Sequence, residues 1–142
     1  MYQKILVALE NGPADESLMP QVTGLAQRLQ SQLLLLHVAD GWVARHFDDL
    51  QLVESEEMKE DRRYLEGLVN RLRAEGLEAS YVLAMGNPPD EILKVAEREK
   101  CDLIAMTTHG HRFLADVLHG STIAEVRHKA AIPLLLVRAI RM

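Results

Sequence analysis

Aliphatic residues fall into five short runs, separated by stretches in which apolar positions recur every three or four residues. The runs are Lys4 to Leu9, Leu33 to Val38, Ala79 to Ala84, Asp102 to Met106 and Ile132 to Val137. The second, Leu-Leu-Leu-Leu-His-Val, is too short to span a membrane and too continuous for a half-exposed strand. It reads as a strand covered on both faces, as in a parallel sheet. Between the runs, Leu18, Val22, Leu25 and Leu29 mark a helix from about Ala14 to Gln30, with Asp15 and Glu16 at the favourable end of its dipole. Pro20 falls inside that pattern and predicts a kink or a late start. Met58, Leu65, Leu68 and Leu72 mark one face of a long helix. Its charged residues, Glu57, Lys59, Glu60, Asp61, Arg62, Arg63 and Glu66, read as a solvated face. Gly76 suits the end of that helix. Asn87 is placed to cap the next one, with a proline in the first turn, Asp90 and Glu91 near the dipole, and Ile92, Leu93 and Ala96 buried. Ile123, Val126 and Ala130 mark a last helix near Ser121 to Ala130. Residues 39–53 show no periodicity and read as a loop.

Strand and helix alternate four times and a fifth strand closes the chain, which predicts an α/β fold. The expected form is a single three-layer domain over residues 1–142, with an open parallel five-stranded sheet and helices on both faces. Right-handed crossovers with a reversal after the third strand give the order 3-2-1-4-5. The crevice then opens between strands one and four, bringing together the loops Ala8 to Gly12 and Thr107 to Ser121. Pro133 cannot donate to a ladder, so strand five belongs at an edge of the sheet.

At 142 residues the chain is long enough for a core without disulfides or metal, and 48% apolar with 4% aromatic residues suits an aliphatic interior. Cys101 is the only cysteine, which leaves it no internal partner. Nothing approaches eighteen consecutive apolar residues and the N-terminus lacks a signal-peptide pattern, so a cytoplasmic location is expected, with no membrane partner. Net charge is −5, which argues against nucleic acid as a partner. The last quarter differs: residues 107–142 carry five Lys/Arg against two Asp/Glu. An anionic small molecule would find its best field there.

That quarter opens with the stretch Thr107 to Thr122, a strand-to-helix loop of the kind whose N–H groups receive anions. As ordinary structure, Gly110 and Gly120 are turn glycines, Ser121 is an N-cap, and Thr122 with Glu125 is a capping box. His109, His111 and His119 crowd the loop, but their spacing supplies no fixed third ligand, so no metal site is expected. His111 and His119 could raise anion affinity as pH falls. There is no Gly-x-Ser-x-Gly elbow, no evident pair of catalytic carboxylates and no Gly-Lys-Ser/Thr loop, so no catalytic residue is assigned and any hydrolysis of a bound phosphoanhydride should be slow.

Several stretches together resemble the universal stress protein family over nearly the whole chain. They are Ile5-Leu6-Val7, Leu35-Leu36-His37-Val38, Gly86-Asn87-Pro88 with Asp90-Glu91-Ile92, Asp102 to Met106, Thr108-His109-Gly110, Gly120-Ser121, Val126-Arg127 and Pro133 to Val137. The resemblance implies the same fold. It further implies, for the family's nucleotide-binding branch, an ATP site built on Gly-x-x-Gly, nine residues, then Gly-Ser or Gly-Thr. Gly110, Gly120 and Ser121 are in register with that pattern, while Thr107 stands where the first glycine would. The usual Pro-x-Asp-Gly-Ser after strand one corresponds to Ala8-Leu9-Glu10-Asn11-Gly12, so a longer carboxylate replaces the aspartate.

On that resemblance Ala8, Leu9, Glu10, Val38, Thr107, Thr108, Gly110, His111, Arg112, Gly120, Ser121 and Thr122 form a nucleotide site. Ala8 and Val38 would wall the adenine, Arg112 would offer a charge, and Glu10 would reach the ribose or, indirectly, a bound Mg or Mn ion. The resemblance also implies a homodimer through strand five, Pro133, Leu134, Leu135, Leu136 and Val137, whose unpaired edge invites a second copy. Two functions stay open: an adenine-nucleotide-binding stress module, with ATP or another adenine ligand such as a cyclic nucleotide, and a nucleotide-free dimer acting through protein contacts. Gly110, Gly120 and Ser121 favour the first; Thr107 and Glu10 favour the second.

Overall fold

The computed structural model describes residues 1–39, 56–108 and 120–140, the last stretch with side chains from Thr122 onward. The five aliphatic runs become β1 (Lys4–Leu9), β2 (Gln32–Ala39), β3 (Ala79–Met85), β4 (Leu103–Thr108) and β5 (Leu134–Arg138). Among the described residues the helices are α1 (Asp15–Leu29), α2 (Glu56–Ala74), α3 (Pro88–Arg98) and α4 (Gly120–Lys129). All neighbouring strands run parallel in the order β3-β2-β1-β4-β5, as the alternation predicts.

Continuous apolar strands are needed because both faces of the sheet are covered. On one face Ile5, Val7 and Leu9 of β1 and Leu33 and Leu35 of β2 pack with Leu18 and Val22 of α1 and Leu65, Leu68 and Leu72 of α2. On the other, Leu6 and Ala8, Leu34 and Leu36, and Ile104 and Met106 pack with Ile92 and Val95 of α3 and Val126 of α4. The first two crossovers therefore cover one face and the last two the opposite face. That change of side forces the β1–β4 junction open at the strands' carboxyl ends.

Several local expectations change on contact with the structure. α1 runs from Asp15 through Pro20 without a late start. Its first turn is tightened by bonds from Asp15 N–H to the Gly12 carbonyl and from Ser17 N–H to the Ala14 carbonyl. Asn87 occupies the N-cap position of α3 but makes no side-chain cap bond, its amide donating instead to Asp90 Oδ2 at 2.8 Å. Thr107 and Thr108, read as loop, extend β4 and pair with Val137 and Arg138. β5 starts after Pro133, whose carbonyl accepts the Ile104 N–H at 3.1 Å, so that residue flanks the edge strand. α4 begins at Gly120, which puts Ser121 and Thr122 inside the helix rather than at an N-cap. Residues 40–53 of the expected loop lie outside the described residues.

The chain's N-terminus is tied to the far half of the sequence by Asp102, whose carboxylate accepts the N–H groups of Gln3 and Lys4 at 2.9 and 3.0 Å. Partial burial pushes this carboxyl up, but those backbone donors outweigh it and hold it below the ordinary value of 3.8. The folded form thus gains stability from ionised Asp102 at neutral pH and loses it as pH falls through the depressed value. Asp102→Ala should destabilise the protein by about 1 kcal/mol at pH 7, with the deficit shrinking below the ordinary aspartate value. Urea unfolding of both proteins at pH 7 and in acid checks this.

Candidate functional site

β1 leads into Glu10-Asn11-Gly12-Pro13, and the chain turns there because Asn11 adopts a left-handed conformation, φ 59°, that asparagine tolerates. One side chain organises the turn. Asp15 Oδ1 accepts the Glu10 N–H at 2.9 Å, and Oδ2 accepts the Asn11 N–H at 2.9 Å and the Tyr64 hydroxyl at 2.6 Å. Asp15 is only 2% exposed. Burial pushes its carboxyl above the ordinary 3.8 despite the donors around it, and burial beside this carboxylate pushes the Tyr64 hydroxyl up as well.

A second set of contacts holds the same turn from β2 and α2. His37 Nδ1 lies 2.8 Å from the Leu9 carbonyl, which can only accept, so this nitrogen carries the proton. Its Nε2 lies 3.4 Å from Asp61 Oδ2, while Asp61 Oδ1 accepts the Asn11 side-chain amide at 2.8 Å. The Leu9–Glu10 peptide is therefore gripped on both sides, its carbonyl by His37 and its N–H by Asp15. Both side chains are in turn held by residues of α2.

At the end of β4 the Thr107 hydroxyl donates to Glu10 Oε2 at 3.1 Å, joining the two strands across the crevice. Thr107 is fully buried, and its regular strand pairing leaves it outside the positive-φ residues. A β-branched residue is therefore accommodated there without backbone strain. The Thr108 carbonyl accepts the Ala139 N–H at 2.9 Å, and Ile140 N–H donates to Ser17 Oγ at 2.8 Å, so the strand after the loop is fastened to α1.

Of the residues expected in a site, the structure brings Glu10 and Thr107 into contact, while Ala8, Val38 and Thr122 are buried side chains, 2%, 5% and 4% exposed. Ala8 and Val38 belong to the apolar cluster on the α3/α4 face. Leu9 points to the opposite face, among residues of α1 and α2, so its side chain is core and its carbonyl belongs to His37. Thr108 ends β4 half-buried. Gly120 and Ser121 open α4. Gly110, His111 and Arg112, with His109 and His119, lie outside the described residues. Among the described residues no group of three His, Cys, Asp or Glu side chains is arranged to hold a metal ion.

The residues that sequence reasoning missed are Asp15, His37, Asp61 and Tyr64. Asp61, assigned to a solvated face, is 6% exposed. The signal was present: Asp61 follows Met58 by three and precedes Leu65 by four, which puts it on the apolar stripe, and Tyr64 precedes Leu68 by four.

Residues 1–138 match the universal stress protein family. The chain belongs to that family. The universal stress protein YxiE of Bacillus subtilis is 27% identical over 150 residues, covering 97% of this chain and all of the relative. A universal stress protein of Methanothermobacter thermautotrophicus is 30% identical over 145 residues, covering 99% and 98%. Among solved structures, MJ0577, a universal stress protein of Methanocaldococcus jannaschii, superposes with a TM-score of 0.83 at 26% identity, covering 100% of this chain and 99% of that one. The Archaeoglobus fulgidus universal stress protein, in complex with dAMP, has a TM-score of 0.70 at 22% identity with 96% and 98% covered. A universal stress protein in complex with cAMP gives 0.71 at 18% identity with 98% of each chain covered. These last two share the fold.

Tyr64→Phe removes a hydroxyl donor from a buried carboxylate. It should cost about 1–2 kcal/mol of stability at pH 7. A raised folded value means stability contributed by the protonated form fades as pH rises through it, so the deficit should be largest once Asp15 is ionised and smaller in acid. Thermal unfolding of both proteins from pH 4 to pH 8 reads it.

Proposed function

We propose that this universal stress protein is a stress-response module that binds an adenine nucleotide, with ATP as its ligand. The observation that carries the reading is the β1–β4 crevice. α1 leaves it toward one face and α4 toward the other, Glu10 and Thr107 meet at its mouth, and the ten-residue α4 begins at Gly120 on its far side. A crevice at a reversal of strand order takes ligands beyond the strand ends, and the first-turn N–H groups of a helix favour phosphate. That proteins of the same fold are in complex with dAMP and with cAMP supports an adenine nucleotide as the occupant.

In this reading Ala8 and Val38 back the adenine and Glu10 faces the ribose. Thr108, Gly110, His111, Arg112, Gly120, Ser121 and Thr122 belong to the phosphate side. With no described three-residue ligand cluster, a Mg or Mn ion would enter with the phosphates, and Glu10 is the carboxylate nearest to receive it indirectly. The protein acts by binding, in the cytoplasm, and its occupied and empty forms differ in what they engage.

A second copy is the partner this reading assigns to β5. The strand is the sheet's edge, Leu134, Leu135 and Val137 are half-exposed, and Leu136 is exposed. Antiparallel pairing around a twofold axis would cover this row. The same surface is the basis of the nucleotide-free alternative, in which the dimer alone carries the function.

Calorimetric titration with ATP, ADP and AMP tests the ligand. Binding is expected, and Gly120→Val should weaken it at least about tenfold by placing a branched side chain where phosphate approaches the helix. A protein that binds none of the three removes the nucleotide reading and leaves the dimer as the seat of function. For the dimer, sedimentation at micromolar concentration should give twice the chain mass, and Leu136→Lys should shift it toward the monomer; an unchanged mass for both would discard the β5 interface.

A further inference from the structure

We infer that Thr107 is a positioning residue for ribose recognition: its buried hydroxyl holds the Glu10 carboxylate across the mouth of the β1–β4 crevice, where that carboxylate receives a ribose hydroxyl. This rests on the nucleotide reading, in which Glu10 faces the ribose, and adds to it the residue that positions that carboxylate.

Three observations combine. Thr107 is fully buried, so its hydroxyl requires a partner within the protein, and it donates to Glu10 Oε2 at 3.1 Å across 97 residues of sequence. The backbone that carries Glu10 is held on both sides of one peptide, with the Leu9 carbonyl bonded to His37 at 2.8 Å and the Glu10 N–H bonded to Asp15 at 2.9 Å. The Thr107 bond is among the contacts that restrict the side-chain torsions of Glu10. A carboxylate fixed this way is an acceptor preorganised for a donor, and it repels anionic oxygen.

The chemistry at this place orients the ligand. Phosphate oxygens are turned from Glu10 toward α4, and hydroxyl donors are turned toward β1, as a carboxylate at the end of a strand recognises ribose in other open α/β sheets. The two residues that differ from the family's pattern, Glu10 and Thr107, thereby form one unit. The extra methylene of glutamate lets its carboxylate meet a side chain that a glycine would not provide. An aspartate at position 10, one carbon shorter, would leave the Thr107 hydroxyl without this acceptor.

The test is the affinity ratio between AMP and 2′-deoxy-AMP, measured calorimetrically for the wild-type protein, Thr107→Val, Thr107→Ser and Glu10→Gln, each first shown to be folded by circular dichroism. Valine preserves the volume of threonine and removes only the hydroxyl; serine restores it. We expect a wild-type preference for the ribonucleotide of about tenfold, the scale of one hydrogen bond to a charged acceptor. Thr107→Val should reduce it to within about twofold, Thr107→Ser should keep it, and Glu10→Gln should weaken it. If Thr107→Val does not fold, Thr107→Ser against Glu10→Gln carries the comparison. A Thr107→Val protein with the wild-type ratio, a Thr107→Ser protein that loses it, or a wild type that binds both nucleotides equally would overturn the inference while leaving nucleotide binding intact. A wild type that binds neither would remove the nucleotide reading and this inference with it.

Discussion

Everything in this molecule is referred to β1, because it is the strand at which the sheet grows in both directions. It bonds to β2 on one side and β4 on the other, and all its residues from Ile5 to Leu9 are buried. A strand in that position can tolerate no polar side chain along its length, and it must still end in a turn that exposes backbone at the most open point of the fold. Its interior is therefore uniformly aliphatic, while its end depends on side chains from elsewhere to satisfy its N–H and C=O groups. The candidate site exists where that transition occurs.

The supporting side chains come from separate elements and converge on one peptide. His37 is the sole polar interruption of the aliphatic run in β2 and reaches Leu9; Asp15 reaches back from the first turn of α1 to Glu10 and Asn11. Asp61 and Tyr64, three residues apart on α2, anchor the two. A helix that packs against the sheet through Leu65, Leu68 and Leu72 is thus bonded to the end of β1 as well. Any displacement of α2 along the sheet would be felt at Glu10, and the reverse holds equally, since coupling between two places is reciprocal.

The sheet order and the location of the crevice were legible in the chain because both follow from hydrophobic runs and from rules of chain connection that hold whatever the side chains do at the ends. Glu10 and Thr107 were legible as departures from a pattern, though not as partners: the 97 residues between them carry no local sign of contact. Asp61 was misassigned because charge was counted before position. Asp15 was read through the helix dipole, a generic effect, when its actual role is specific hydrogen bonding to a turn. Thr107 and Thr108 looked like loop because hydroxyl residues punctuate strands so often, whereas here the ladder to Val137 and Arg138 carries β4 two residues further. Polar residues buried by tertiary contact are the ones that local patterns describe least well.

The same central placement of β1 has a consequence for how the chain reaches its final state. β1 meets β2 through a short crossover, but its other edge waits for β4, which begins 98 residues beyond Ile5 in the paired register. As the chain is synthesised from its N-terminus, β1, β2 and β3 with their helices are available long before the segment from Leu103 that completes the middle of the sheet. During that interval the most apolar strand of the protein presents an open hydrogen-bonding edge. Closing a loop of this length carries an entropic cost, and the pairing that bears it also assembles the Glu10–Thr107 contact. The nascent chain therefore spends its most aggregation-prone period lacking the very strand that finishes the crevice, and the site is among the last features to come into being.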